Sequence, residues 1–189
     1  MRALVFILIT GSVLIGCTSS KKIIEPNAKS ETLEAMINKK AFAIESDWMY
    51  PMATASMNAI ANSGLLPPGS STNSINLIGN PNYLKVYGDS IAIDLPFYGG
   101  RQLAGSYGSN QGGIVFKGIP DQYEVTKDKK KQRHTIKFRV KNNSESYRVI
   151  ITLYPNWGTN ITINSSHLTS IRYRGTVFVP EDDSVVVTN

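Results

Sequence analysis

Apolar side chains alternate with polar ones along most of the second half of the chain. The clearest runs are Ile136/Phe138/Val140, Tyr147/Val149/Ile151/Leu153 and Ile171/Tyr173. Successive side chains of a strand point to opposite faces of a sheet, so this period of two predicts strands with one buried face. The candidate strands are residues 75–78, 83–86, 90–95, 113–116, 122–126, 134–140, 147–154, 160–163 and 171–179.

Turn-forming residues separate these candidate strands, for example at 88–89, 141–144 and 155–158. Links this short join antiparallel neighbours, because parallel strands need long crossovers. A sheet of about eight strands must also close, curl or be covered to hide its edges. The sequence therefore predicts a mainly β (α+β) domain, built on a curved antiparallel sheet or partial β-barrel. A simple meander and a more complex strand order share this pattern.

One or two short helices are expected before these strands. Residues 31–40 place Leu33, Met36 and Ile37 on one face, with Ser30 as the expected N-cap. Residues 41–49 alternate at their start and predict a further strand. Residues 53–62 predict a second helix, which has Thr54 near its start and is followed by a glycine at position 64.

The N-terminal segment has the order of a secretory signal peptide. Arg2 precedes an uncharged run of 14 residues over 3–16. The sequence Leu14-Ile15-Gly16-Cys17 resembles a bacterial lipobox, which implies cleavage before Cys17, a diacylglycerol thioether on its sulfur and acylation of the new amine. The alternative is a transmembrane anchor, but the run is shorter than the about 20 residues that cross a bilayer.

This interpretation divides the chain into a signal peptide (1–16), a flexible tether (17–30), a single β-rich domain (31–180) and a C-terminal tail (181–189). Cys17 is the only cysteine, so we expect no disulfide, no cysteine-based metal site and no thiol catalysis. Lys21 and Lys22 stand where some lipoproteins that face outside the cell carry acidic residues. We therefore expect a protein that is lipid-anchored to the outer membrane and faces the periplasm.

Residues 95–118 form the most unusual interior stretch, with seven glycines, several aromatic residues and Arg101. Backbone N–H groups in such a loop can form an anion-binding nest, to which an arginine adds a bidentate contact. The glycine spacing matches neither GxxxxGK[ST] nor GxGxxG. The segment is thus either a ligand loop or a long connection that its aromatic residues hold on the sheet. The candidate ligand residues are Phe97, Tyr98, Gly99, Gly100, Arg101 and Tyr107.

Three stretches resemble an envelope-protein family, the domain of unknown function 4251 (DUF4251). They are NYLKVYGDSIAIDLPFYGGRQLAGSYGSNQGGIVFKG (82–118), YPMATASMNAIANSGLLPPG (50–69) and LYPNWGTNITINSSHLTSIRYRG (153–175). The resemblance extends over residues 37–177 and implies an exported, often lipid-anchored β-rich domain. It implies no catalytic residues, because the family has no assigned activity.

Catalytic motifs are not evident in the sequence. The two histidines, His134 and His167, lack an HExxH pattern or other histidine ligands, so we expect no metal and no cofactor. Gly105-Ser106-Tyr107-Gly108-Ser109 is not a GxSxG nucleophile elbow. The acids Asp89, Asp94, Asp121 and Glu124 fall at expected strand ends or turns. We therefore expect a protein that is not an enzyme.

A basic cluster surrounds the expected turn near residue 130, within a chain of net charge +6. A lysine-rich hairpin tip commonly protects sheet edges from aggregation, and it also attracts anionic lipid headgroups. A tether that holds the tip near a bilayer favours headgroup contact, and an exported protein rarely meets nucleic acid. The candidate contact residues are Lys129, Lys130, Lys131 and Arg133.

Two functions remain open at this point. The first is a non-catalytic binding module whose concave sheet holds an apolar or amphipathic ligand such as a lipid. The second is a structural or interaction protein that docks another envelope component through exposed Trp157, Tyr98 and Tyr107. An interior apolar cavity would favour the first function, and a filled interior would favour the second.

Overall fold

The computed structural model describes residues 24–100, 113–142 and 145–180. These residues form two helices and ten strands, and most of them are in strands. The helices are α1 (Ala28–Asn38) and α2 (Ala55–Asn62). The strands are β1 (Ala41–Pro51), β2 (Ile75–Asn76), β3 (Tyr83–Tyr87), β4 (Ser90–Pro96), β5 (Gly113–Gly118), β6 (Asp121–Asp128), β7 (Arg133–Asn142), β8 (Glu145–Leu153), β9 (Gly158–Ser165) and β10 (Ile171–Phe178).

All strands belong to one antiparallel sheet with the order β5-β4-β3-β1-β10-β9-β8-β7-β6, and β2 pairs with β1 beside this path. The two edge strands, β5 and β6, are consecutive in the chain and only Ile119 and Pro120 separate them. Nine strands laid flat would hold these edges about 38 Å apart at about 4.8 Å per strand. The link from Gly118 to Asp121 spans at most about 11 Å. The sheet must therefore curl, and the predicted partial barrel is confirmed.

The strand order is not a simple meander, because the first and last long strands lie side by side. β1 pairs with β10 from Ala43↔Phe178 to Pro51↔Ile171. On its other side β1 pairs with β3 near its start and with β2 near its end. β1 therefore lies between two parts of the sheet, with β2 to β5 on one side and β6 to β10 on the other. Its long pairing with β10 holds these two parts together.

A bulge interrupts the pairing of β1 with β10 between Ser46 and Trp48. On the other edge of β1, Ser46 lies in the gap between the pairing with β3, which ends at Ile44, and the pairing with β2, which begins at Trp48. The N–H of Ser46 donates to Oδ1 of Asn82 over 2.9 Å, and Nδ2 of Asn82 donates to the carbonyl oxygen of Ser46 over 2.9 Å. Unpaired backbone groups are costly when buried, so this amide takes the place of a strand partner in the gap.

The concave face of the sheet carries the core. Every strand from β7 to β10 shows alternating burial, as its sequence predicts. The largest fully buried side chains include Tyr173, Phe42 and Phe138. The hydroxyl of Tyr173 donates to the carbonyl oxygen of Pro96 over 2.9 Å, which satisfies the one polar atom of that side chain.

The two helices lie at opposite ends of the barrel. Trp157 precedes β9 and its Nε1 donates to the carbonyl oxygen of Lys29 in α1, which places α1 at that end. Thr169 follows β9, and both Thr169 and the N-terminus of α2 approach Gly100. Each helix closes one end of the core, through Leu33, Met36 and Ile37 in α1 and through Met57 in α2.

The first helix differs in its start from the sequence prediction. Asn27, not Ser30, is the N-cap: its side chain accepts from the Ser30 N–H, and the Ser30 hydroxyl bonds back to the Asn27 backbone. This reciprocal capping box takes residues 28–30 of the expected tether into the helix. The helix ends at Asn38, because Lys40 has a positive φ of 49°. The second helix begins at Ala55, with Thr54 as its N-cap.

Candidate functional site

The hairpin between β6 and β7 places three lysines together at the α1 end of the barrel. Oδ1 of Asp128 accepts from the N–H groups of Lys130 (3.1 Å) and Lys131 (3.2 Å), and this fixes the turn. Gln132 is buried and has a positive φ of 48°. The side chains of Lys129, Lys130 and Lys131 are exposed, so the turn presents a basic tip.

Arg133 was expected to contact anionic lipid together with these three lysines, but its side chain is less exposed than theirs. Its Nη2 lies 3.4 Å from Oδ2 of Asp128, and the side chain is half-buried. Arg133 therefore stabilises the hairpin from within, and Lys129, Lys130 and Lys131 carry the outward charge. We call these three lysines the basic tip.

Ile24, the described residue nearest to Cys17 in the chain, contacts this basic tip. The N–H of Ile24 donates to the carbonyl oxygen of Lys130 over 2.9 Å. Asn27 and the Trp157–Lys29 hydrogen bond fix the start of α1 a few residues later. Six residues lie between Cys17 and Ile24, and the seven Cα–Cα steps that join them span at most about 25 Å. A lipid on Cys17 would thus hold Ile24, which contacts the basic tip, within that distance of a bilayer.

An ion pair joins the same hairpin to α1. Nζ of Lys127 lies 2.7 Å from Oε2 of Glu34, and this hydrogen bond lowers the pKa of the Glu34 carboxyl. Beneath it, burial lowers the pKa of His134, to which the positive charge of Lys127 adds. Burial thus favours the neutral form of His134, which is a side chain of the core.

The glycine-rich segment begins as a packed connection. Phe97 and Tyr98 pack against the core, and the N–H of Thr169 donates to the carbonyl oxygen of Gly100 over 3.0 Å. A Cβ at Gly99 would lie 2.7 Å from the Phe97 ring. The described part therefore supports a connection held on the sheet. Arg101 and Tyr107, the other candidate ligand residues, lie outside the described residues.

Trp157, an expected docking residue, is partly buried. Its indole packs against the core, and its Nε1 donates to the carbonyl oxygen of Lys29 over 3.0 Å. The indole thus anchors α1 to the β8–β9 turn, and a docking role for its accessible part stays a prediction. Tyr98, expected in the same role, is also partly buried.

Among the described residues, buried side chains from the sheet and both helices pack together on the concave side. Cavities lined by described residues open at the surface around the α1 end, and they include a larger and a smaller one. The larger, of about 530 Å³, lies between Ile24 and the outer face of β9 and β10. The smaller, of about 230 Å³, lies between Lys40, Tyr123 and the β3–β4 turn. Sequence patterns had not identified either cavity.

The remaining candidates for chemistry are dispersed. Asp89 pairs with Lys40 over 2.7 Å, which lowers the pKa of its carboxyl, and Nδ1 of His167 lies 2.8 Å from the Ser166 hydroxyl. Within residues 24–100, 113–142 and 145–180, no three His, Cys, Asp or Glu side chains are grouped as metal ligands. In the same ranges, no helix has the length and apolar character needed to span a membrane.

The fold and the surface together define a class: a curled antiparallel β domain with a filled core and a basic end. The family model for the domain of unknown function DUF4251 matches residues 25–177, so the chain belongs to that family and the resemblance is confirmed. The match reaches further towards the N-terminus than the quoted motifs and takes in the whole of α1.

A solved structure has the same fold. The chain is similar to a DUF4251 family protein from Bacteroides eggerthii DSM 20697, with 14% sequence identity and a TM-score of 0.53. The similarity covers 80% of this chain and 87% of that chain. No curated protein matches the sequence.

Proposed function

We propose that the protein is a lipoprotein of the bacterial envelope, anchored through Cys17, whose domain acts by surface contact without catalysis. The lipobox-like sequence supports the anchor. The filled concave face supports surface contact, because an apolar ligand inside the sheet would have to displace side chains such as Phe42 and Phe138 that are fully buried. Anchoring in the outer membrane, facing the periplasm, belongs to the same proposal.

The contact that the geometry supports best is between the basic tip and anionic lipid headgroups. The observation that carries it is the hydrogen bond between the Ile24 N–H and the Lys130 carbonyl oxygen. Ile24, the described residue nearest to Cys17 in the chain, thus lies against the basic tip. A lipid on Cys17 and the basic tip would then reach the same bilayer. The anchor holds the basic tip close to the bilayer, and the attraction between the lysines and the headgroups sets the orientation of the domain.

The strength expected of this contact is modest. Each lysine near an anionic surface contributes about 1 kcal/mol, so the basic tip supplies about 3 kcal/mol, or about 100-fold in favour of the docked orientation. The attraction falls off within about 8 Å at physiological ionic strength. Docking should therefore depend on both lipid charge and salt.

The test uses the full-length lipidated protein in nanodiscs. Because the lipid occupies the only native cysteine, a Lys129→Cys variant offers a single site for a fluorophore. We expect head-group spin-labelled lipid to quench this fluorophore strongly in phosphatidylglycerol nanodiscs and weakly in phosphatidylcholine nanodiscs. A fluorophore at Leu65→Cys, an exposed position after α2 at the opposite end, should be quenched weakly in both.

Charge removal provides the matched control. In the Lys129→Cys background, Lys130→Gln with Lys131→Gln should remove most of the difference in quenching between the two lipids. Lys137→Gln with Lys141→Gln removes the same charge from exposed positions of β7 and should leave that difference unchanged. Equal quenching at positions 129 and 65, or equal quenching in the two lipids, would contradict the proposed orientation.

A further inference from the structure

The larger surface cavity has the size of a small-molecule site. It has a volume of about 530 Å³, within the about 300–1,000 Å³ that ligand pockets usually occupy. Ile24 forms one wall, the β8–β9 turn forms another, and the outer face of β9 and β10 forms the floor. Tyr154, Asn156, Asn160 and Arg174 contribute polar side chains to its lining.

Arg174 brings a positive charge to this cavity. It lies on the outer face of β10, exposed between buried Tyr173 and Gly175, and it is paired in register with Asn160 of β9. Among the residues that the structure describes, no carboxylate lies within 4.0 Å of its guanidinium. A planar guanidinium on a cavity wall matches the geometry of a carboxylate or phosphate.

Neutral polar residues line the same cavity as Arg174. Nδ2 of Asn160 donates to the Tyr154 hydroxyl over 3.0 Å, and Oδ1 of Asn156 accepts from the Gly158 N–H over 3.1 Å. Each amide and the phenol keep further donor or acceptor capacity after these bonds.

This combination selects among ligand classes. A simple inorganic anion would fill little of the volume and would leave the amides and the phenol without partners. An apolar ligand would bury those same polar groups unpaired, which is unfavourable. A molecule with several hydroxyl groups and one anionic group would satisfy the arginine, both amides and the phenol together. We propose that the cavity binds an anionic sugar, with its phosphate or carboxylate on Arg174.

Calorimetric titration of the full-length lipidated protein, in a detergent without a sugar headgroup, tests this assignment. The probes are glucose 6-phosphate, glucuronate, glucose and inorganic phosphate. We expect at least one of the two anionic sugars to bind 10-fold or more tightly than both glucose and phosphate. Absence of binding by both anionic sugars, or phosphate binding as tight as theirs, would overturn the proposal.

Two arginine variants then locate the site. Arg174→Gln should weaken binding of the anionic sugar by about 10- to 100-fold, as expected for loss of a charge-assisted hydrogen bond. Arg172→Gln changes the net charge equally on the same face of β10, but Arg172 lies over the Tyr50 ring at 6.0 Å and does not line the cavity. It should weaken binding less than 2-fold. Equal losses in the two variants would overturn the assignment to this cavity.

Discussion

At the scale of single residues, Gly175 marks the tightest approach between two strands. A Cβ at this position would lie 2.6 Å from Cα of Ser46 and would also collide with the carbonyl oxygen of Glu45. Both atoms belong to the main chain of β1 beside its bulge. Neither atom can move without shifting the central pair of the sheet, so only glycine fits this position.

We predict that Gly175→Ala lowers the free energy of unfolding by at least about 2 kcal/mol, because a main-chain collision cannot be relieved by a rotamer change. Urea unfolding of the detergent-solubilised protein, followed through Trp48 and Trp157, measures this change. Gly100→Ala is the control, since the nearest atom to its Cβ is at an ordinary 3.5 Å. The control should stay within about 0.5 kcal/mol of wild type. Similar stability of the two variants would show that the strands separate easily.

At the scale of elements, the stretch of β1 beside its bulge has no strand partner on one edge and pairs there with the amide of Asn82. Replacing it by alanine leaves the buried N–H and carbonyl groups of Ser46 without partners. We predict that Asn82→Ala lowers the free energy of unfolding by about 3 kcal/mol, since each unsatisfied buried group costs about 1–3 kcal/mol.

The control for this prediction is Asn164→Ala, at an exposed position of β9. It removes the same amide from a solvated surface and should change the free energy of unfolding by less than about 0.5 kcal/mol. The same urea experiment compares the two variants. A cost below 1 kcal/mol for Asn82→Ala would mean that water replaces the amide, and the bulge would not need this side chain.

The elements themselves could be predicted from the sequence, because alternation and turn residues are local properties. Every expected strand exists, and the observed bounds of most strands differ from the expected bounds by one or two residues. The helix starts were less accurate: a capping box uses two side chains, and the sequence alone did not distinguish Asn27 from Ser30 as the cap. The short turns predicted the hairpin partners, but the partner of β1 could not be predicted, because its alternation does not indicate that β10, some 130 residues later, lies beside it.

The basic tip and the larger cavity also differ in whether the sequence could identify them. The basic tip is contiguous in sequence, so its lysines were identified without a structure. The larger cavity combines Ile24, the β8–β9 turn and Arg174, which only strand pairing brings together. The hydrogen bond by which Trp157 anchors α1 could not be predicted, because an aromatic residue in a turn has the same sequence pattern whether or not it anchors a helix.

At the scale of the whole molecule, buried side chains of the described residues pack on the concave side of the curled sheet, and a helix packs at each end. The basic tip and the larger cavity both lie at the α1 end, and Ile24 touches both. A lipid on Cys17 would hold this end towards the membrane. The proposed function depends on that lipid, because without the anchor nothing holds the basic tip close to a bilayer.

Intact-protein mass spectrometry of the chain purified from the membranes of its native host tests this central claim most directly. We expect a chain that begins at Cys17, lacks residues 1–16, and carries a diacylglycerol group and an additional acyl chain. Cys17→Ala should abolish both the cleavage and the added mass. A wild-type chain that retains Met1 and has an unmodified Cys17 thiol would contradict the account.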